Sequence, residues 1–148
     1  MQDDIFQMIN KDIISITNQV AGISLAQSQP VDIANANTLS LSAKGSYQLN
    51  LYLYANWETL AEIAGNMKHM PAADEEIPMY TVEYFNILGG GIVSKINQRY
   101  QLSARFTPPV FWDHKICHKG SEGEQASFYY YFQHGAVKVT GNIVGIKG

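Results

Sequence analysis

Residues 78–97 read PMYTVEYFNILGGGIVSKIN. On a wheel of about 100° per residue, Val82, Phe85, Leu88, Gly89, Ile92, Val93 and Ile96 make one continuous apolar stripe. Pro78 is tolerated in a first helical turn, so the spacing predicts a helix from Pro78 to about Tyr100, its stripe laid on a sheet. Asn86 lies at the edge of that stripe. Glu83, Gly90, Ser94 and Asn97 lie just beyond it, as a narrow shelf of polar or small groups. Glu83 and Asn86, three residues apart, share one helix face. Each glycine of the run Gly89, Gly90 and Gly91 costs a helix roughly 1 kcal/mol relative to alanine, so something must compensate. Close helix–helix packing would explain Gly89 on the inner side. Gly90 falls angularly between Glu83 and Asn86, where the lack of a side chain suits the approach of a partner. Gly91 has no account at this level. An acid and an amide beside open space form a candidate site. The same pair is also what an ordinary solvated helix face presents.

Moving outward, Asp3 or Asp4 can cap a first helix, in which Ile5, Met8, Ile9, Ile13, Ile16 and Val20 keep helical spacing up to a stop at Gly22. Polar residues and Pro30 follow as a loop. Leu39, Leu41 and Ala43 alternate with polar residues, as do Tyr47, Leu49, Leu51 and Leu53. The turn Lys44-Gly45-Ser46 joins the two runs into a hairpin with one buried face. Asn56 caps a second helix, Trp57 to Met70, which Pro71 terminates. AADEEI, residues 72–77, is a solvated acidic linker. After the third helix come strands at Gln101–Phe106 and Val110–Lys115, and a polar turn from His118 to Gln125. A last hairpin, Ala126–Gln133 and Ala136–Ile146, closes around His134-Gly135. Runs of strands rather than strict βαβ alternation predict an α+β fold, an antiparallel-rich sheet with two or three helices on one face.

The 148 residues fit one domain able to bury a sizeable core without a metal or disulfide. With a formal net charge of -3 and scattered Lys and Arg, the chain lacks the concentrated basic surface that nucleic acid needs. Cys117 is the single cysteine, which points to a reducing compartment. The start, MQDDIFQMIN, lacks the basic opening and apolar core of a signal peptide, and no apolar run reaches the ~20 residues of a membrane span. The expectation is a soluble cytoplasmic protein with no membrane partner.

A helix with Glu-x-x-Asn, a glycine four residues after the Asn, and then a strand ending in proline resembles the CheX-like members of the CheC/CheX/FliY phosphatase family. Glu83, Asn86, Gly90 and Pro109 carry the resemblance, with the lead-in TLSLSAKGSYQLNLYLYANWETLAEIAGNM. Family members often have an acidic or hydroxyl residue four before the motif Glu, where this chain has Met79. Glu62 has Gly65 three residues later, so the second helix lacks the motif and a single site is expected. The resemblance implies a phosphatase acting on the phospho-aspartate of a CheY-type response regulator. Asn86 would position the attacking water, and Glu83 would pair with a basic residue beside the phosphoryl group. It also implies a homodimer and no cofactor of the chain's own, the divalent metal (magnesium) sitting on the regulator. The alternative is a non-catalytic adaptor on the same fold. The catalytic reading requires Glu83 and Asn86 to be accessible and adjacent.

Other groups are weighed against these. His114, Cys117 and His118 are possible zinc ligands, but a fourth ligand is missing locally and a strand-turn would not aim all three one way. Cys117 has no readable activating environment for a nucleophile. GGGIVSK lacks the P-loop spacing. FYYYF, residues 128–132, reads as a buried strand or subunit interface before it reads as a base-stacking surface.

Overall fold

The computed structural model describes residues 2–116, 123–133 and 135–145. In chain order the elements are α1 (Gln2–Ala21), β1 (Ala26–Gln27), β2 (Asn37–Gly45), β3 (Gln48–Ala55), α2 (Trp57–Lys68), a single 3-10 turn (Asp74–Glu76), α3 (Ile77–Tyr100), β4 (Ala104–Phe106), β5 (Val110–Trp112), β6 (Glu124–Phe132) and β7 (Gly135–Val144). The strands form one seven-stranded sheet in the order β1-β6-β7-β3-β2-β4, with β5 beside β2 as well. Every pairing is antiparallel. This is the expected α+β architecture, with three α-helices among the described residues.

The period-2 pattern sets the register. Leu39, Leu41 and Ala43 lie opposite Leu53, Leu51 and Leu49, and those in turn lie opposite Val139, Gly141 and Ile143. A shift by one residue would turn this whole apolar set to the other face. The helices cover that face: a Cβ on Gly89 of α3 would touch Leu41, Phe6 of α1 meets the Phe128 ring, and Thr59 of α2 lies against Gly135. The opposite face carries Ser40, Ser42, Asn50, Tyr52 and Thr140. In residues 128–132, Phe128 and Tyr130 point to the helices, Tyr130 fully buried, whereas Tyr131 is exposed.

Helix ends depart from expectation in instructive ways. α1 already runs at Gln2, which puts Asp3 and Asp4 inside its first turn; its far end is the left-handed Gly22, as read. Asn56 caps α2, its Oδ1 accepting from Thr59 N at 2.9 Å. That helix ends at Lys68, before Pro71, because His69 turns left-handed and Met70 N–H reaches back to the Gly65 carbonyl. Gln101 ends α3 in the same way, with Leu102 N–H on the Asn97 carbonyl, so β4 starts three residues later than expected. The acidic segment before α3 is more than a linker. Glu76 accepts from Lys68 Nζ at 2.6 Å and from Ala73 N–H at 2.9 Å, clamping the start of α3 to the end of α2. β1, placed in the expected loop, pairs with Tyr130 and Tyr131. His134 and the segment 117–122 lie outside the described residues, and with them the tip of the last hairpin and most of the expected polar turn. No described helix is long and apolar enough to cross a membrane.

Candidate functional site

α3 is the central helix of the layer, and its burial explains what it leaves outside. Phe85, Leu88, Gly89, Ile92, Val93 and Ile96 are buried, as the stripe requires, while Val82 is only partly so. Thr81 and Tyr84 are also buried, on a second row that faces away from the shelf. The Tyr84 hydroxyl meets Thr17 Oγ1 of α1 at 2.6 Å, and burial pushes its pKa up to about 12, against a smaller lowering by that hydrogen bond. The neighbouring Tyr130 hydroxyl donates to Asn10 Oδ1 at 2.5 Å; its pKa is raised by burial and then by Tyr84.

The three glycines serve three different neighbours. A Cβ at Gly89 would stand 2.0 Å from Leu41 Cδ2, so the close approach there is to the sheet rather than to another helix. At Gly91 it would stand 2.8 Å from Ile16 Cδ1, where α1 crosses. At Gly90 it would stand 3.3 Å from the Phe106 ring of β4. The nearest neighbour of bare Gly90 therefore belongs to its own chain. Successive helical residues point about 100° apart, so one glycine run lets three elements close on one helix.

What remains outside is the shelf. Glu83 is exposed and Asn86 half-buried, one turn apart on α3. Among the described residues neither has a hydrogen-bond or ion-pair partner. Met79 and Ile87, one turn before and one turn after Glu83, are 67% and 39% exposed. Beyond Asn86 the shelf runs into an open hollow of about 590 Å³ lined by Gly90, Val93, Ser94, Asn97, Gln98 and residues 104–106. Asn97 is a brace rather than a free shelf residue: its Oδ1 accepts from Tyr47 Oη at 2.9 Å and its Nδ2 donates to the Ala104 carbonyl at 3.0 Å. Burial pushes the Tyr47 hydroxyl up to about 12. Phe106, not singled out in the sequence, forms the wall of the hollow; its alternation with Ala104 after α3 was the available signal.

α2 has no equivalent. Asn66 follows Glu62 by four residues, and its amide donates to the Ala21 carbonyl at 2.7 Å, closing one wall of a separate cleft between α1 and α2. His114 is exposed and hydrogen-bonded to its neighbour Asp113; Cys117 and His118 lie outside the described residues. Among the described residues no three His, Cys, Asp or Glu side chains come close enough to hold a metal. Chemically, the shelf offers one carboxylate to attract a cation and one neutral amide that both donates and accepts.

No family model matches the chain, and no curated protein matches it. Solved structures do. CheX in a CheX–CheY–BeF3–magnesium complex from Borrelia burgdorferi superposes with a TM-score of 0.81 at 13% identity, over 94% of this chain and 97% of that one. Chemotaxis protein CheX from Vibrio vulnificus gives 0.81 at 17% identity, over 95% and 99%. A CheC-like superfamily protein from Shewanella sp. PV-4 gives 0.82 at 17%, over 98% and 100%. The chain therefore has the CheX and CheC-like fold over nearly its whole length.

Proposed function

We propose that this chain is a CheX-like chemotaxis protein that hydrolyses the phospho-aspartate of a CheY-type response regulator. The observation that carries the reading is the shelf: an exposed carboxylate and an accessible amide, both unpartnered among the described residues, on the central helix of a CheX-like fold. One of the similar folds was solved together with CheY, BeF3 and magnesium, which supports a regulator as the partner class.

In this reading Glu83 pairs with a basic side chain next to the phosphoryl group and sets the register of α3 on the partner. Asn86 enters the partner's site. Its carbonyl oxygen accepts from a water, which is held in line with the acyl oxygen–phosphorus bond. Attack forms a new oxygen–phosphorus bond and breaks the acyl one. The aspartate leaves as its carboxylate, and inorganic phosphate departs with the water's oxygen. An acyl phosphate is labile, so positioning and charge stabilisation suffice, and a neutral amide needs no proton-transfer role. The regulator brings the phosphoryl group and its divalent metal, which neutralises charge on the phosphoryl oxygens. The homodimer and the cytoplasmic setting belong to the same proposal.

The test is decay of phosphorylated regulator with catalytic amounts of protein. Asn86→Ala should lose most of the stimulated rate with an unchanged melting curve, and Glu83→Ala should mainly weaken engagement. Unchanged rates for both variants would reject the site. Stoichiometric binding without acceleration by the parent protein would favour an adaptor instead.

A further inference from the structure

We infer that the hollow beyond Asn86 is an anchor pocket that receives an apolar side chain of the same response regulator. This rests on the reading above.

The geometry ties the hollow to the shelf. Gly90 is its floor and stands one helical turn from Asn86, roughly 6 Å along the axis. A partner covering Asn86 with a footprint of about 800 Å² must also cover a hollow that near. The chemistry then selects the occupant. The Phe106 ring walls one side and Val93, buried, closes the base. The amide of Asn97 is engaged at both ends, by Tyr47 and by the Ala104 carbonyl. Arg105 also lines the hollow, although strand alternation sets its side chain on the face opposite Ala104 and Phe106. The Phe106 ring, Val93, Ala104 and bare helix backbone give the hollow an apolar side, with Ser94, Gln98 and residue 105 at its edge, a lining that suits an apolar side chain better than a charged one. Met79 and Ile87 extend the apolar surface along the same strip, bracketing Glu83. An ion pair at Glu83 is worth little in open water and more where apolar contacts exclude water around it.

The probes are the CheY-type receiver domains of the same genome, each phosphorylated with acetyl phosphate for kinetics and loaded with beryllofluoride for calorimetry. Ser94 and Gln98 stand exposed on the rim, so Ser94→Phe and Gln98→Trp fill the hollow without entering the core. Each should raise KM about tenfold and weaken affinity equally, with kcat within twofold and an unchanged melting curve. Asn86→Ala should do the reverse, losing kcat and keeping affinity. If Asn86→Ala is inactive while both filling variants bind and turn over like the parent, the pocket is overturned and the catalytic reading stands. If Asn86→Ala stays active, the catalytic reading fails. The pocket is then decided by affinity alone: weaker binding of the filled variants sustains it, and unchanged binding overturns it.

Discussion

Replacing Gly89 with alanine probes directly how α3 is seated. The new methyl would stand 2.0 Å from Leu41 Cδ2 and 3.3 Å from its Cγ. Carbon atoms settle at roughly 3.5–4.0 Å, so the leucine methyl must retreat by about 1.5 Å or more. Leu41 is only 4% exposed, between Leu51 on the next strand and the helix itself, so its side chain must shift within a packed core. Overpacking of this kind costs about 1–3 kcal/mol, and a clash this deep belongs at the upper end. Alanine returns about 1 kcal/mol of helix propensity. The net is a loss of roughly 1–2 kcal/mol, or a fall in Tm of about 2–8 °C for a chain of this size. Gly91→Ala meets only the terminal Cδ1 of the partly buried Ile16, and Gly90→Ala meets the rim of the Phe106 ring at 3.3 Å. Both should be close to neutral, with the propensity gain offsetting a small adjustment. Urea denaturation of the three variants measures the order directly. A double-mutant cycle of Gly89→Ala with Leu41→Ala should show a coupling of about 1–2 kcal/mol, since removing the leucine methyls relieves the clash. A Gly89→Ala protein as stable as Gly91→Ala would refute the account of the glycine run.

The buried hydroxyls of Tyr47, Tyr84 and Tyr130 all have pKa values raised by burial, two of them to about 12. Their folded values exceed the unfolded ~10, so stability present below pH 10 is lost as pH rises from about 10 toward 12; tyrosinate absorbance followed beside circular dichroism should show these three ionising only as the fold is lost. Lys95, half-exposed on α3, pairs with the Asp12 carboxylate, which is 3% exposed on α1. Lys95→Met strands that carboxylate and should cost about 1–3 kcal/mol, less than a fully buried pair because the lysine is solvated, and Asp12→Leu added to it should restore much of the loss in a denaturant titration. Glu76, held below the usual carboxylate range by Lys68 and then by the Ala73 N–H, lends stability above pH ~4.3 that disappears as pH falls through its folded value. Glu76→Gln should therefore lower Tm at pH 7 and leave it nearly unchanged at pH 3.

The hairpin of β2 and β3 and the stripe of α3 were legible because both signals are local: alternation at Leu39, Leu41 and Ala43, and helical spacing from Phe85 to Ile96. The shelf was legible for the same reason, since Glu83 and Asn86 lie on one turn. Long-range partners hid the rest. The wheel leaves Asn97 among free polar groups, yet residues 47 and 104 occupy its amide. Tyr84 and Thr81 belong to the row Ile77, Thr81, Tyr84, Leu88, which reads as amphipathic noise until α1 packs on it. β1 has only two residues and no alternation, and Tyr130 and Tyr131 alone define it. Gly91 stayed without an account until Ile16 supplied one.

The way α3 is held has a calorimetric consequence. It is clamped at its start through Glu76 and Lys68, braced near its end through Asn97, and closed upon from three directions at its glycines. A partner arriving at the shelf finds the backbone already ordered. The entropy lost on this side is then the rotamer freedom of the surface side chains that become covered, Glu83 and Asn86 among them, roughly 0.5–1.5 kcal/mol each. Association should carry the heat-capacity change of a modest buried patch, without the large unfavourable entropy of a helix that forms only on contact.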